Sequence, residues 1–451
     1  MNLTEEKIIQ KLFNLFNPRE PLGFDQLNLF VERPKSPLPG ILRGLSLRPS
    51  RILLSGQVGT GKSSELRALI PRLTDNFTAF YIDLEKTLNL GNTHRVEVLI
   101  AVGLGAYKAA CKAFEAKQGV KERPDERVAE KLAEPIREVV EKTRKISWVF
   151  EIGKALQNIA AIAVGLISPD MAPLAPAIAT FPSFFALNLD AASRQEVEKE
   201  DTALEVARRV SDVLTDIAEK SERRLLLIVD GTDKISLEAA QDLFIGRLLT
   251  ELKCSMVWLM PLELSYRPIA QQATPYFELE GIPNITVHEE PNRSSEETIW
   301  QERSPIPEAI EALSEMVRRR IKACGLQPGE IIDEEALKYL ARMSGGVVRH
   351  LMMLMEKCLL AIAQGAPKIS LEMAKQEVQE VRLSFESRLW KEDYDLMLEV
   401  LQTGEIPQGV NPELVDNLIK SCFILGYRNK NFWWDIHPIL LSSLQAHRRK
   451  R

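Results

Sequence analysis

Ile52-Leu53-Leu54-Ser55-Gly56-Gln57-Val58-Gly59-Thr60-Gly61-Lys62-Ser63-Ser64 joins an apolar run directly to G-x-x-x-x-G-K-S. That is the pattern of a P-loop. Its three glycines let the backbone wrap a phosphate chain with N–H groups pointing inward, at dihedral angles and approach distances that a Cβ would block. Lys62 is expected to set its charge on the outer phosphates and Ser63 to offer a hydroxyl to Mg2+. A helix starting near Gly61 adds the positive end of its dipole. The segment Glu65-Leu66-Arg67-Ala68-Leu69-Ile70 continues at helical spacing, which completes the strand–loop–helix setting the motif requires. The loop Gly56, Gln57, Val58, Gly59, Thr60, Gly61, Lys62, Ser63 and Ser64 is therefore the expected site for a nucleoside triphosphate with Mg2+.

The 451 residues, 45% hydrophobic and 27% charged, fit an ordinary chain of two to four domains. A net charge of −5 argues against a protein coated in nucleic acid, although a local basic surface is compatible with an acidic average. The cysteines Cys111, Cys254, Cys324, Cys358 and Cys422 form no C-x-x-C pair and read as reduced thiols. The first residues, Met1–Lys7, lack the basic-then-apolar layout of a signal peptide, so a cytoplasmic location is expected.

Further strands place candidate carboxylates. Phe77–Asp83 reads as a second parallel strand, and Leu225–Asp230 as a buried strand whose C-terminal end opens onto the ligand crevice. Asp230 there is a Walker B candidate, able to hold Mg2+ through water opposite Ser63. Gly231-Thr232-Asp233-Lys234 follows, so no glutamate directly succeeds Asp230. Asp233, or less directly Glu85, is left to orient an attacking water, and either carboxylate also suits a turn. A helix over Leu237–Leu252, a strand over Met256–Pro261 with Glu263, Ser265 and Tyr266 at its exit, and a fifth strand over Ile285–His288 complete an expected doubly wound α/β sheet.

With these motifs in order, the chain resembles the AAA+ superfamily (ASCE class) and its STAND neighbours, organised like archaeal origin-initiator ATPases. The resemblance implies a P-loop NTPase core, an all-α lid and a C-terminal winged helix. The implied segments are an N-terminal helix and base-pocket segment over 1–48, the ATPase core over 49–300, the lid over 301–383 and the winged helix over 384–451. It further implies ATP rather than GTP, with Arg33 of Phe30-Val31-Glu32-Arg33-Pro34 beside the adenine. Arg349 of Ser344-Gly345-Gly346-Val347-Val348-Arg349 matches the sensor-2 arginine that reaches the γ-phosphate. The Asp-Gly-Thr-Asp-Lys ending resembles the D-G-x-D variants of STAND-like ATPases and points to switching rather than fast turnover. His437, before Pro438, resembles their histidine contact to bound phosphate, and packing beside the proline is its alternative. No arginine finger is assigned among Arg247, Arg267 and Arg303.

About 140 residues separate the second strand from Asp230, far more than one crossover helix needs, so a helical insertion is expected at about 116–200. Charged helices are expected over Glu126–Lys145 and Asp201–Lys220. Within 148–189 lies an apolar, Pro/Ala-rich stretch, too short and too broken by proline for a span of about 20 residues. It reads as a buried hairpin, an interface with another subunit or effector, or a membrane-touching element. Helices over Trp390–Leu401 and Pro412–Cys422, then strands flanking Asn429-Lys430-Asn431, form the expected winged helix. Three functions follow. The first is a slowly hydrolysing ATPase (ATP to ADP and phosphate) acting as a nucleotide-dependent switch that controls assembly with itself or an effector. The second is a DNA-binding AAA+ ATPase, against which Glu413 and Asp416 weigh as a poor base-reading pair. The third is a structural nucleotide binder without turnover.

Overall fold

The computed structural model describes residues 3–73, 75–135, 178–179, 199–246 and 248–449. The apolar stretch 148–189, apart from residues 178–179, lies outside the described residues, as do Arg247 and the second half, 136–145, of the helix expected over Glu126–Lys145. The described part of that helix is Glu126–Glu130, followed by a 3-10 turn at Lys131–Ala133. The chain divides into two units: 37–55 with 67–281, and 1–36 with 56–66 and 282–451.

The first of these units holds a parallel sheet. Its strands are β1 (Arg51–Ser55), β2 (Phe77–Asp83), the two-residue β3 (Ile178–Ala179), β4 (Arg224–Asp230), β5 (Ser255–Leu259) and β6 (Glu278–Gly281), in the order β3-β2-β4-β5-β1-β6. The chain runs outward from β1 to β2 and β3, comes back through β4 and β5, and passes β1 to reach β6, so the connections leaving the neighbours β1 and β5 run in opposite directions, a reversal between adjacent strands. Ligand crevices of open α/β sheets form outside the C-terminal strand ends at such a reversal. One strand, β5, separates β1 from β4. The β2–β4 register sets Asp83 directly beside Asp230 at those ends. The helix Arg95–Glu115 is buried along most of its length, as its run Val98–Ala106 without a charged residue requires, and packs against Glu200–Glu219. The Glu97 carboxylate accepts from the His94 N–H at 3.0 Å and closes its first turn.

Two expectations are corrected here. The fifth strand is Glu278–Gly281, not Ile285–His288. Ile285, Val287 and His288 are buried, but the backbone of this run serves other partners: Ile285 N–H donates to Gly346 O and Val287 O accepts from Ile306 N–H at 2.9 Å. The helix expected over Leu237–Leu252 stops at Phe244 and resumes as a 3-10 turn over Leu248–Glu251.

The second unit is helical except for one hairpin. Pro307–Ala323 starts with proline at its first position, where the missing N–H has no cost. Glu334–Met343 and Val348–Ala363 pack with it, and Leu371–Glu386 packs on those two. Met352, Leu354 and Met355 are core residues of Val348–Ala363, whereas Met353 between them is half-buried. After Lys391–Thr403, capped by Gly404 at φ +75°, come the helix Pro412–Lys420, the antiparallel pair β7 (Ile424–Arg428) and β8 (Phe432–Ile436), and the helix Leu441–Arg449. Asp435 is fully buried and takes two hydrogen bonds from Arg303, at 2.9 and 3.1 Å. Arg303 is thus an internal ion-pair partner and neither a surface charge nor an arginine finger. Among the described residues no helix is long and apolar enough to cross a membrane.

Candidate functional site

The loop has the geometry its glycines allow. Gly59 and Gly61 stand at φ +85° and +95°, and the helix Lys62–Leu69 begins directly after them. A Cβ on Gly59 would lie 2.6 Å from the Cβ of Arg349, so glycine is required there for close approach as well as for conformation. The Lys62 ammonium donates to the carbonyls of Gly56 at 2.8 Å and Gln57 at 2.9 Å. Ser64 Oγ accepts from the Leu22 N–H at 3.0 Å, and Ser63 is half-buried beside it.

The tip of the loop is held by distant sequence. Gln57 is buried, and its amide group donates to Ile419 O at 3.0 Å and Ile424 O at 2.7 Å. Its Oε1 accepts from Gly426 N–H at 2.9 Å and from the Asn284 side chain. Asn284 N–H in turn donates to Gly426 O at 3.0 Å. Gln57 and Asn284 therefore satisfy the N–H and C=O of Gly426 on the outer edge of β7, an edge that is otherwise open to mispairing. The Val58 carbonyl faces the Cys422 thiol at 3.4 Å, and Gly59 O accepts from the backbone N–H of Arg349 at 3.0 Å. Arg349, expected near phosphate, thus begins its helix against the loop with its side chain half-buried.

Arg33 is placed differently from a base contact. Its guanidinium donates to Pro283 O at 2.8 Å and to Thr60 O, and pairs with Glu65 at 2.8 Å, with both side chains buried. These bonds fasten the loop and the start of its helix to the Arg33 segment. His437 is likewise taken up inside the protein. Its Nδ1 accepts from Ile439 N–H at 3.3 Å, so the ring proton sits on Nε2 and is donated to His350 Nδ1 at 3.0 Å. Burial lowers the pKa of His350 to about 4 and holds His437 well below its usual value. Both rings are therefore neutral near pH 7, with Phe385 packed against each.

In the sheet unit, Asp230 is buried and bonded. Its Oδ1 accepts from Gly231 N–H at 2.8 Å, and its Oδ2 takes the Tyr81 hydroxyl with Arg67 at 3.8 Å. Arg67 also donates to Tyr81 Oη and to Asp83, each at 3.0 Å. Burial, and then the charge of Asp233, raise the Asp230 pKa. Gly231 stands at φ +91°, the left-handed angle that turns the chain into the short helix bearing Asp233, which is half-buried. Glu85 is an exposed partner of Lys234. Arg67, Tyr81 and Asp83, which the structure gathers at Asp230, and His350, which it sets against His437, were not singled out from the sequence. The signals present were the acid ending β2 and an arginine on the first turns after Lys62.

No family model and no curated protein matches the chain. Among solved structures it is similar to the Holliday junction branch migration motor RuvB of Thermotoga maritima, with 12% identity, a TM-score of 0.27, and coverage of 54% of this chain and 82% of that one. A single-substitution variant of that protein gives the same identity and coverage with a TM-score of 0.28. The functional reading rests on this chain's own residues.

Proposed function

We propose that the chain is an ATP-binding, slowly hydrolysing P-loop ATPase of the AAA+/STAND type. In it, bound nucleotide sets whether a winged-helix module over 384–451 stays docked on the loop, and so controls assembly with a second copy or an effector. The observation that carries this reading is the set of partners at the loop tip. Gln57, Val58 and Gly59 are held by Ile419, Cys422, Ile424, Gly426 and Arg349, so a ligand that reshapes the loop acts on those contacts directly. Binding that favours one arrangement shifts the population toward it.

In this reading the loop N–H groups and Lys62 hold the phosphates, and Arg349 follows the γ-phosphate from the start of its helix. Asp233 orients the water whose oxygen attacks the γ-phosphorus as the bond to ADP breaks. Ser63 would offer its hydroxyl to Mg2+, and Asp230, whose two oxygens already accept from Gly231 N–H and the Tyr81 hydroxyl, would hold the ion only through its waters; the ion would supply charge neutralisation at the phosphates. Arg33 and His437 are assigned to the frame rather than to the nucleotide, because their polar atoms already serve protein groups. The expected acid pair on the helix Pro412–Lys420 is corrected, because Asp416 is buried, which leaves Glu413 as the exposed acid beside Asn417 and Lys420; the DNA-binding alternative is separated from the switch by experiment.

The test is amide exchange over Ile424–Arg428 with no nucleotide, with ADP and with a non-hydrolysable ATP analogue, in wild type and Lys62→Ala. Faster exchange with the analogue, abolished in Lys62→Ala, is the expected result. Nucleotide binding with unchanged exchange would leave a structural binder. A response to duplex DNA alone would favour the DNA-associated reading.

A further inference from the structure

A second cavity lies at the N-terminal ends of the strands, the opposite end of the sheet from the point where β1 runs into the glycine loop. It has a volume of about 860 Å3, within the range of small-molecule sites, and is lined by the first residues of β1, β4, β5 and β6. Its ionisable lining is one-sided. Arg48, Arg51, Arg224 and Lys253 face a single carboxylate, Glu278, in a chain whose overall charge is −5.

Each cation is presented in a usable way. Arg51 donates to Thr250 O at 3.1 Å and Leu252 O at 3.0 Å, and Arg224 to Ser46 O at 2.6 Å, which fixes both guanidinium groups without neutralising them. Arg224 also lies over the Phe77 ring at 4.9 Å. Arg48 pairs with Glu278 at 2.7 Å, but the two side chains are 70% and 44% exposed, and so open a pair contributes little that an incoming phosphate would have to displace. Lys253 is exposed. Burial pushes the neighbouring Cys254 thiol up to about 12, so it adds no negative charge. Beside these cations stands Tyr276, a 51%-exposed ring with no burial role to explain it.

We propose that this cavity binds a nucleoside-phosphate ligand, with phosphate held by Lys253, Arg48 and Arg224 and the base stacked on Tyr276. Basic side chains tracking phosphate beside an aromatic platform are the chemistry by which nucleotides and single strands are held independently of sequence. The site is separate from the glycine loop and does not depend on the reading of that loop.

The experiment is fluorescence anisotropy of a labelled ten-thymidine single strand with the full chain, with unlabelled thymidine monophosphate as competitor. Wild type is expected to bind with a slope of log affinity against log salt of about −2, the value for roughly three phosphate contacts on a single strand. Tyr276→Ala is expected to weaken binding roughly 5- to 100-fold through loss of stacking. Lys253→Glu should weaken it comparably, whereas Lys391→Glu, with the same change of net charge in the other unit, should not. Lys62→Ala should bind like wild type. Competition by the monophosphate at matching concentrations identifies a free nucleotide, and its failure identifies a strand. No binding, or equal weakening by Lys253→Glu and Lys391→Glu in variants with wild-type thermal midpoints, overturns the proposal.

Discussion

Gln57→Ala isolates the hold of distant sequence on the phosphate loop. The side chain is 4% exposed and makes four hydrogen bonds, two donated to the carbonyls of Ile419 and Ile424 and two accepted from Gly426 N–H and Asn284. Alanine leaves the Gly426 N–H without that acceptor in a buried setting, and the Ile419 carbonyl without that donor. One such orphan costs about 1–3 kcal/mol, and the rest of the loss is softened because a carbonyl retains a second lone pair. A net effect of about 2 kcal/mol on the docking of β7 follows, a factor of roughly 30 in the docked-to-released ratio. Amide exchange resolved at Gly426 reads this directly. Its rate should rise about 30-fold, while amides in the middle of β4 stay unchanged. Gln57→Glu should match or exceed the effect, since a carboxylate has no hydrogen to give to either carbonyl. Equal exchange at Gly426 in wild type and Gln57→Ala would refute the claim that this residue holds the strand.

Three further perturbations probe the same half of the chain. Burial depresses the pKa of His350 from 6.5 to about 4, so the neutral pair with His437 stabilises the fold above the unfolded value and loses that contribution as pH falls from 6.5 toward 4. Urea titrations should show at least about 3 kcal/mol lost over that window, and His350→Phe should reduce the dependence while leaving the part due to His437, whose pKa burial also lowers. Arg303→Ala strands the Asp435 carboxylate in the interior and should cost about 3–5 kcal/mol of unfolding free energy, with partial recovery when Asp435→Leu is added. Gly346→Ala forces a Cβ into the Ile285 carbonyl at φ +74° and should destabilise by at least about 3 kcal/mol in the same assay, whereas Gly325→Ala, with open space around it, should cost only backbone strain.

The strands that bear or adjoin the candidate residues were legible because each signals locally. β1 announces itself by the apolar run before Gly56, β4 by its apolar run into Asp230, and the β7–β8 hairpin by aromatic and branched runs around Asn429–Asn431. β6 was not legible. Its sequence, Glu-Leu-Glu-Gly, is that of an edge strand with no fully buried residue, so it lacks the apolar signature a buried parallel strand shows. The run Ile285–His288 has that signature but spends its burial and its hydrogen bonds on Gly346 and Ile306 instead. The same limit applies to the site. Glycine, lysine and serine in the loop are dictated by the phosphate chemistry they suit, whereas Gln57 occupies a variable position of the pattern. Its partners lie more than 200 residues away, and nothing local marks it as a buried clamp. Arg33 and His437 were legible as site-adjacent residues but not by their partners, because Glu65, Thr60 and His350 become neighbours only in the fold.

The wide sequence separation of the clamp has a consequence for biosynthesis. Gln57 emerges 362–369 residues before Ile419, Ile424 and Gly426, to which it is bonded in the folded chain. At about 5–20 residues per second, the loop waits on the order of 20–70 s on the ribosome before those groups exist. For that interval the nascent chain carries the glycine loop without its restraint. Under the proposed function, a nucleotide captured then would be bound under different constraints from those of the finished protein, so adding or withholding nucleotide during translation would bear on the order in which the chain assembles.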